Sequence, residues 1–111
     1  MGMQKYVQVG LALVMVLVGG IFHSAQATPT IRSVEVEPRP NGVERLIFKA
    51  DSMLVARKAY GLANPDRIVI DLPTVKGAGV KLPAGYRGAL VKSIRFGQFD
   101  TSTSRIVVDL Q

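Results

Sequence analysis

Apolar and polar residues alternate with a period of two through most of this chain, the spacing of half-buried β-strands rather than helices. The pattern is sharpest in Arg67-Ile68-Val69-Ile70-Asp71-Leu72 and is nearly repeated in Arg105-Ile106-Val107-Val108-Asp109-Leu110. In the first copy Ile68, Ile70 and Leu72 share one face, and Arg67, Val69 and Asp71 share the other. Ile106, Val108 and Leu110 divide from Arg105, Val107 and Asp109 in the same way. Each copy therefore has an aliphatic side for a core and an Arg/Asp side for water or a ligand.

The rest of the pattern predicts four more strands. Ile31 to Glu37 and Val43 to Asp51 flank Pro38-Arg39-Pro40-Asn41-Gly42, where two prolines fix the entry and Asn-Gly tolerates positive φ, so they form a hairpin. Leu54 to Leu62 is a third strand, joined to Arg67–Leu72 through the turn Ala63-Asn64-Pro65-Asp66. Thr74 to Gly88 has no sustained period and carries four glycines and a proline. It is a long connection with one helical turn near Val80 to Leu82. Leu90 to Phe96 is a fifth strand, Gly97 to Ser104 a turn, and Arg105 to Leu110 the sixth. At a constant offset of sixty, Ile31-Arg32-Ser33-Val34 lies on Val91-Lys92-Ser93-Ile94, and Arg45-Leu46-Ile47-Phe48 lies on Arg105-Ile106-Val107-Val108. The third and fourth strands have no counterpart. Either the duplication is incomplete, or the second sheet is truncated here and a longer parent chain continues with another strand pair.

The first 27 residues follow a different rule. Lys5 precedes an apolar stretch from Val7 to Phe22, and Ala25-Gln26-Ala27 offers small residues at Ala25 and Ala27 for signal peptidase. This reads as a secretory signal-peptide helix (1–27) ahead of a mature β domain (28–111). An uncleaved anchor is the competing reading, but the apolar run is short for a bilayer core of about 30 Å. No twin arginine is present, so export runs by the general secretory route to the periplasm or cell envelope.

The mature part holds thirteen Lys/Arg and eight Asp/Glu, a net +5 with the two signs interspersed. In that compartment the balance points to acidic wall components rather than nucleic acid, and to the membrane only through the leader. Cys is absent and the single His is His23, inside the leader, so thiol chemistry, His-based triads and His-containing zinc sites are excluded from the mature part. Asp71 and Asp109 are more economically structural than a catalytic pair. The candidate ligand-binding set is Arg67, Asp71, Arg95, Gln98 and Arg105, with Phe99 and Asp100 beside it on a hairpin tip. Guanidinium forks hold carboxylates in pairs of bonds, and Gln or Asp meets sugar hydroxyls and amides. The competing reading is of solvated strand residues with ordinary cross-strand ion pairs. Phe48 and Tyr60 fit a core better than a sugar platform.

Asn64 to Pro73, Val91 to Phe99 and Arg105 to Leu110, taken in order after a leader, resemble the AMIN domain. That domain occurs at the N-terminus of periplasmic N-acetylmuramoyl-L-alanine amidases and in type IV pilus secretins. The resemblance implies an all-β sandwich of two related antiparallel sheets and a non-catalytic, peptidoglycan-binding and targeting role, at the division septum in the amidases. It also implies that zinc belongs to a separate catalytic domain absent from this chain. Division-site or secretin proteins are further implied partners. Two alternatives stay open: a wall- or protein-interaction module of a secretin, and an envelope protein that binds partners by strand addition at an exposed edge.

Overall fold

The computed structural model describes residues 3–9, 13–19 and 28–111, and side chains from residue 28 onward. The strands are β1 (Met3–Val9), β2 (Leu13–Gly19), β3 (Ile31–Arg39), β4 (Val43–Ala50), β5 (Lys58–Leu62), β6 (Arg67–Pro73), β7 (Val91–Gln98) and β8 (Thr103–Leu110). They form two four-stranded sheets, ordered β1-β2-β4-β3 and β5-β6-β8-β7. All pairs from β3 onward are antiparallel, whereas β2 runs parallel to β4.

The alternation dictates the sandwich. Ile31, Val34, Leu46 and Phe48 of the first sheet meet Ile68, Ile70, Leu72, Val91, Ile106 and Val108 of the second in one buried cluster. Phe48 is core, as its position in the alternation predicts. Tyr60 is instead half-buried and lies opposite Val69, on the outer face.

The sixty-residue repeat is structural. Ser33 faces Lys49 and Val34 faces Phe48 in one hairpin, while Ser93 faces Asp109 and Ile94 faces Val108 in the other. A bulge interrupts both ladders at the same place, after Ile31 and after Val91. An extra residue flips the alternation, so Ile31 and Val34 can both point inward although three positions apart. Val91 and Ile94 use the same device.

Several expectations need correction. The third strand begins at Lys58, because Ser52 to Arg57 cross between the sheets and only Leu54 in that stretch is a buried hydrophobic. Residues 80–82 form no helical turn. The connection is held by tertiary bonds: Ile31 N–H donates to the Lys76 carbonyl (2.8 Å), Lys76 N–H to Pro29 (2.8 Å) and Gly79 N–H to Ile31 (2.9 Å). It thus lies along the start of β3 and drops Val75 into the core. The turn between β7 and β8 is shorter than predicted, because Thr103 and Ser104 belong to β8. The expected leader helix is also corrected. Met3–Val9 and Leu13–Gly19 are extended, in a valine-rich stretch with high strand propensity that completes the ladder beside β4. The cleavage residues Ala25 and Ala27 lie outside the described residues.

Candidate functional site

The outer face of the second sheet is a lattice fixed by strand register. One row across β5, β6, β8 and β7 reads Lys58, Asp71, Arg105, Gly97; the next reads Tyr60, Val69, Val107, Arg95; the third reads Leu62, Arg67, Asp109, Ser93. Val69 is buried although it belongs to this outer face.

Two guanidinium–carboxylate forks organise the surface. Arg105 Nε donates to Asp71 Oδ1 (2.8 Å) and Nη2 to Asp71 Oδ2 (3.1 Å). Arg95 Nε donates to Asp109 Oδ2 (2.8 Å) and Nη2 to Oδ1 (2.9 Å), and Ser93 Oγ donates to Asp109 Oδ2 (2.9 Å). Arg105 holds the Asp71 carboxyl below the ordinary carboxylate range, overcoming the effect of burial. Arg95, assisted by Ser93, does the same for Asp109. A guanidinium has five N–H donors, so each fork still has donors for a ligand.

The β7–β8 hairpin tip completes the site. Asp100 Oδ1 accepts the Ser102 N–H (2.9 Å), and Phe99 N–H donates to the Thr103 carbonyl (2.9 Å). This turn lays the Phe99 ring over Arg105, with Cζ 3.6 Å from the ring centroid, while leaving Phe99 58% exposed. Gln98 anchors the tip: Nε2 donates to the Asp100 carbonyl (2.8 Å), and Oε1 accepts from Ser104 Oγ (3.0 Å). Ser104 is fully buried, and its Oγ also accepts the Val75 N–H (3.0 Å). Arg57 braces the tip from β5's side by donating to the Ser102 carbonyl (3.1 Å).

Arg95, Gln98, Phe99 and Arg105, with Gly97 and Val107, line an open cup of about 230 Å³. Three of the five residues expected at the site therefore converge. Asp71 sits beneath Arg105 as its counter-ion, nearly buried, and orients the guanidinium instead of facing the cup. Arg67 lies two rows away from Arg105, opposite Asp109, and among the described residues its buried Nε has no hydrogen-bond partner. Phe99 is an exposed ring of the cup that the alternation did not single out. Its place on a polar tip, beyond the end of a strand, was the available signal.

A larger concavity of about 420 Å³ lies elsewhere, between Val36, Pro38 and the 83–88 loop. At its edge Glu44 accepts bonds from Tyr86 Oη, Ala89 N–H (2.9 Å) and Leu90 N–H (3.3 Å). Those donors belong to the long connection, so Glu44 is a strut that holds it. Arg87 also lines that concavity; the smaller cup differs in bringing two arginines and an exposed aromatic ring together. Among the described residues no three His, Cys, Asp or Glu side chains converge as a metal site.

No curated protein matches the chain. The family model of the AMIN domain, a non-catalytic module of envelope proteins associated with peptidoglycan, matches residues 33–111. With the repeated hairpins and the outward-facing Arg/Asp lattice already in place, that match covers most of the chain, which belongs to the AMIN domain family.

Proposed function

We propose that this chain is the peptidoglycan-binding and targeting module of a periplasmic N-acetylmuramoyl-L-alanine amidase, exported by the general secretory route and cleaved after Ala27. Its parent's zinc-dependent chemistry resides in another domain. The observation that carries the reading is the cup that joins two guanidinium groups to one exposed aromatic ring. Peptidoglycan offers the matching pair of features: peptide-stem carboxylates for Arg95 and Arg105, and sugar faces for Phe99. A single shallow contact of this kind is weak. On a repeating polymer, and tethered to an enzyme, it raises local concentration and gains from avidity.

Co-sedimentation of the processed chain with purified sacculi tests the proposal. Arg95→Ala combined with Arg105→Ala is expected to reduce the bound fraction at least about tenfold while leaving the β-sheet circular dichroism unchanged. Undiminished sedimentation removes the cup from the binding site.

A further inference from the structure

Charge is balanced differently on the outer faces of the two sheets. In the β3–β4 hairpin Arg45 pairs with Glu37 (3.6 Å) and Lys49 with Glu35 (2.8 Å), so each cation has its acid. On the second sheet Lys58, Arg67, Arg95 and Arg105 face outward against Asp71 and Asp109. Asp71 lies opposite both Lys58 and Arg105, and Asp109 lies opposite Arg67 with Arg95 one row away. Each aspartate gives both oxygens to one arginine, Asp71 to Arg105 and Asp109 to Arg95. Lys58 and Arg67 are left over.

Lys58 is partly accommodated, its ammonium lying 5.3 Å from the Tyr60 ring centroid. Arg67 is not. Among the described residues no hydrogen bond or ion pair engages its guanidinium, and its Nε is buried without an acceptor. Asp109, directly opposite, is held ionised chiefly by its bonds to Arg95, and Arg67 acts on it through charge alone. Asp66, the acid next in sequence, belongs to the turn between β5 and β6 and forms no ion pair with Arg67.

β6 is paired on both sides, so the position of Arg67 needs no free strand edge. Its neighbour on β5 is Leu62, which is 45% exposed. A guanidinium beside an exposed apolar side chain repeats, in another row, the arrangement of Arg105 and Phe99. Register fixes the distance between the two loci. From the Asp71–Arg105 row to Arg67 is four steps along β6, or about 13 Å at about 3.3 Å per residue. One such locus selects little; two at a fixed spacing on one rigid face favour an acidic chain over a single acid.

We propose that Arg67 and Leu62 form a second anchor on this face, binding a carboxylate and its adjoining aliphatic group from the same acidic polymer whose first carboxylate lies in the cup. The inference rests on the wall-binding reading and deepens it. The ligand is a chain with acidic groups about 13 Å apart, lying along the strands of the second sheet. Arg67 meets it through its terminal nitrogens, since Nε is closed off.

Two probes separate the anchors: purified sacculi, and N-acetylmuramoyl-alanine, which carries one sugar and one carboxylate. Arg67→Met keeps an aliphatic stem on the sheet and removes the charge. It is expected to lower co-sedimentation with sacculi at least about fivefold, and to leave the affinity for the small probe, titrated by NMR, within about twofold of the parent. Arg67→Lys, which keeps a cation, should bind sacculi better than Arg67→Met, and Arg105→Ala should weaken both probes. Thermal midpoints establish that each variant is folded, and Arg67→Gln repeats the test should the Met variant lose its fold. Sacculus binding by Arg67→Met equal to the parent's overturns this inference and leaves the cup standing. So does an equal loss with both probes, which makes Arg67 a support of the cup, or a Lys variant that binds no better than the Met variant. A parent chain that ignores sacculi altogether overturns the wall-binding reading and this inference with it.

Discussion

Gly97 lies directly opposite Arg105 in the β7–β8 ladder, at the place where Glu37 lies opposite Arg45 in the related hairpin. Glu37 pairs with Arg45 at 3.6 Å, so in the first sheet that corner is neutralised from its own hairpin. At Gly97 the space a side chain would enter is open, with nothing within 4 Å of a Cβ. Arg105 turns to Asp71 on the neighbouring strand and keeps its remaining donors toward the cup. The repeat thus produces one closed corner and one open corner from the same backbone.

Gly97→Glu is expected to close the open corner. A carboxylate there competes with ligand carboxylates for Arg105 and repels them. Binding to sacculi should fall at least about fivefold. The thermal midpoint should stay within a few degrees of the parent, because the backbone at Gly97 needs no positive φ. A variant that binds as well as the parent locates the ligand elsewhere.

Phe99 separates stacking from charge. Its ring is 58% exposed and its backbone is held by Thr103, so Phe99→Ala should leave the fold intact. Loss of an exposed stacking ring worth about 0.5–1 kcal/mol predicts a two- to fivefold weaker association with glycan strands. Phe99→Tyr should retain most of the binding. Isothermal titration with soluble muropeptide fragments distinguishes the two variants.

Acid sensitivity follows from the two forks. Asp71 and Asp109 bind protons less readily in the folded chain than in the unfolded one, because Arg105 and Arg95 hold their carboxylates ionised. Their contribution to stability is therefore complete above the unfolded value of about 4 and is lost as the pH falls through the lowered folded values. Urea midpoints should be flat from pH 7 to about 5 and decline steadily below about 4. Arg105→Ala should flatten that decline, since Asp71 then loses the group that holds its value down. An identical acid slope in the variant shows that the fork adds nothing to stability.

Glu44 tests the strut. Replacing it with Ala leaves Tyr86 Oη and the Ala89 and Leu90 N–H groups without their acceptor in a partly buried setting. The expected cost is about 2–3 kcal/mol in chemical denaturation, with sacculus binding by the folded fraction unchanged. Loss of binding at full folding shows that the larger concavity belongs to the site.

The sheets were legible in the chain because each strand buries one face, and burial writes a period of two into the residues. Arg67–Leu72 and Arg105–Leu110 show this most clearly, and pairing places Asp71 opposite Arg105 as two half-buried strands of opposite charge should. The bulges were present as well, in the equal offset of Ile31 and Val91 from Val34 and Ile94, but a three-residue spacing carries no strand signal by itself. The 74–90 connection was legible as a connection, but its course was not. It is held by main-chain bonds to Pro29 and Ile31 and by Glu44, contacts between distant positions that leave no local period. At the site, residue type identified the arginines, but only register shows that Asp71 supports Arg105 from below while Arg67 stands apart.

Gly79 shows how tightly that connection is seated. A Cβ built there would lie 2.1 Å from the Arg32 carbonyl oxygen and 2.8 Å from that of Ile31, both main-chain atoms of β3. Side-chain rearrangement cannot relieve such contacts, and Gly79 already donates its N–H to Ile31 at 2.9 Å, so it cannot withdraw without losing that bond. Gly79→Ala is expected to cost about 3 kcal/mol, at the upper end of overpacking penalties. Gly85→Ala, with open space around it but φ at +79°, should cost only about 1 kcal/mol. Urea titration of the two variants against the parent tests the order. A Gly79→Ala chain as stable as the parent shows that the connection does not lie against β3 in solution.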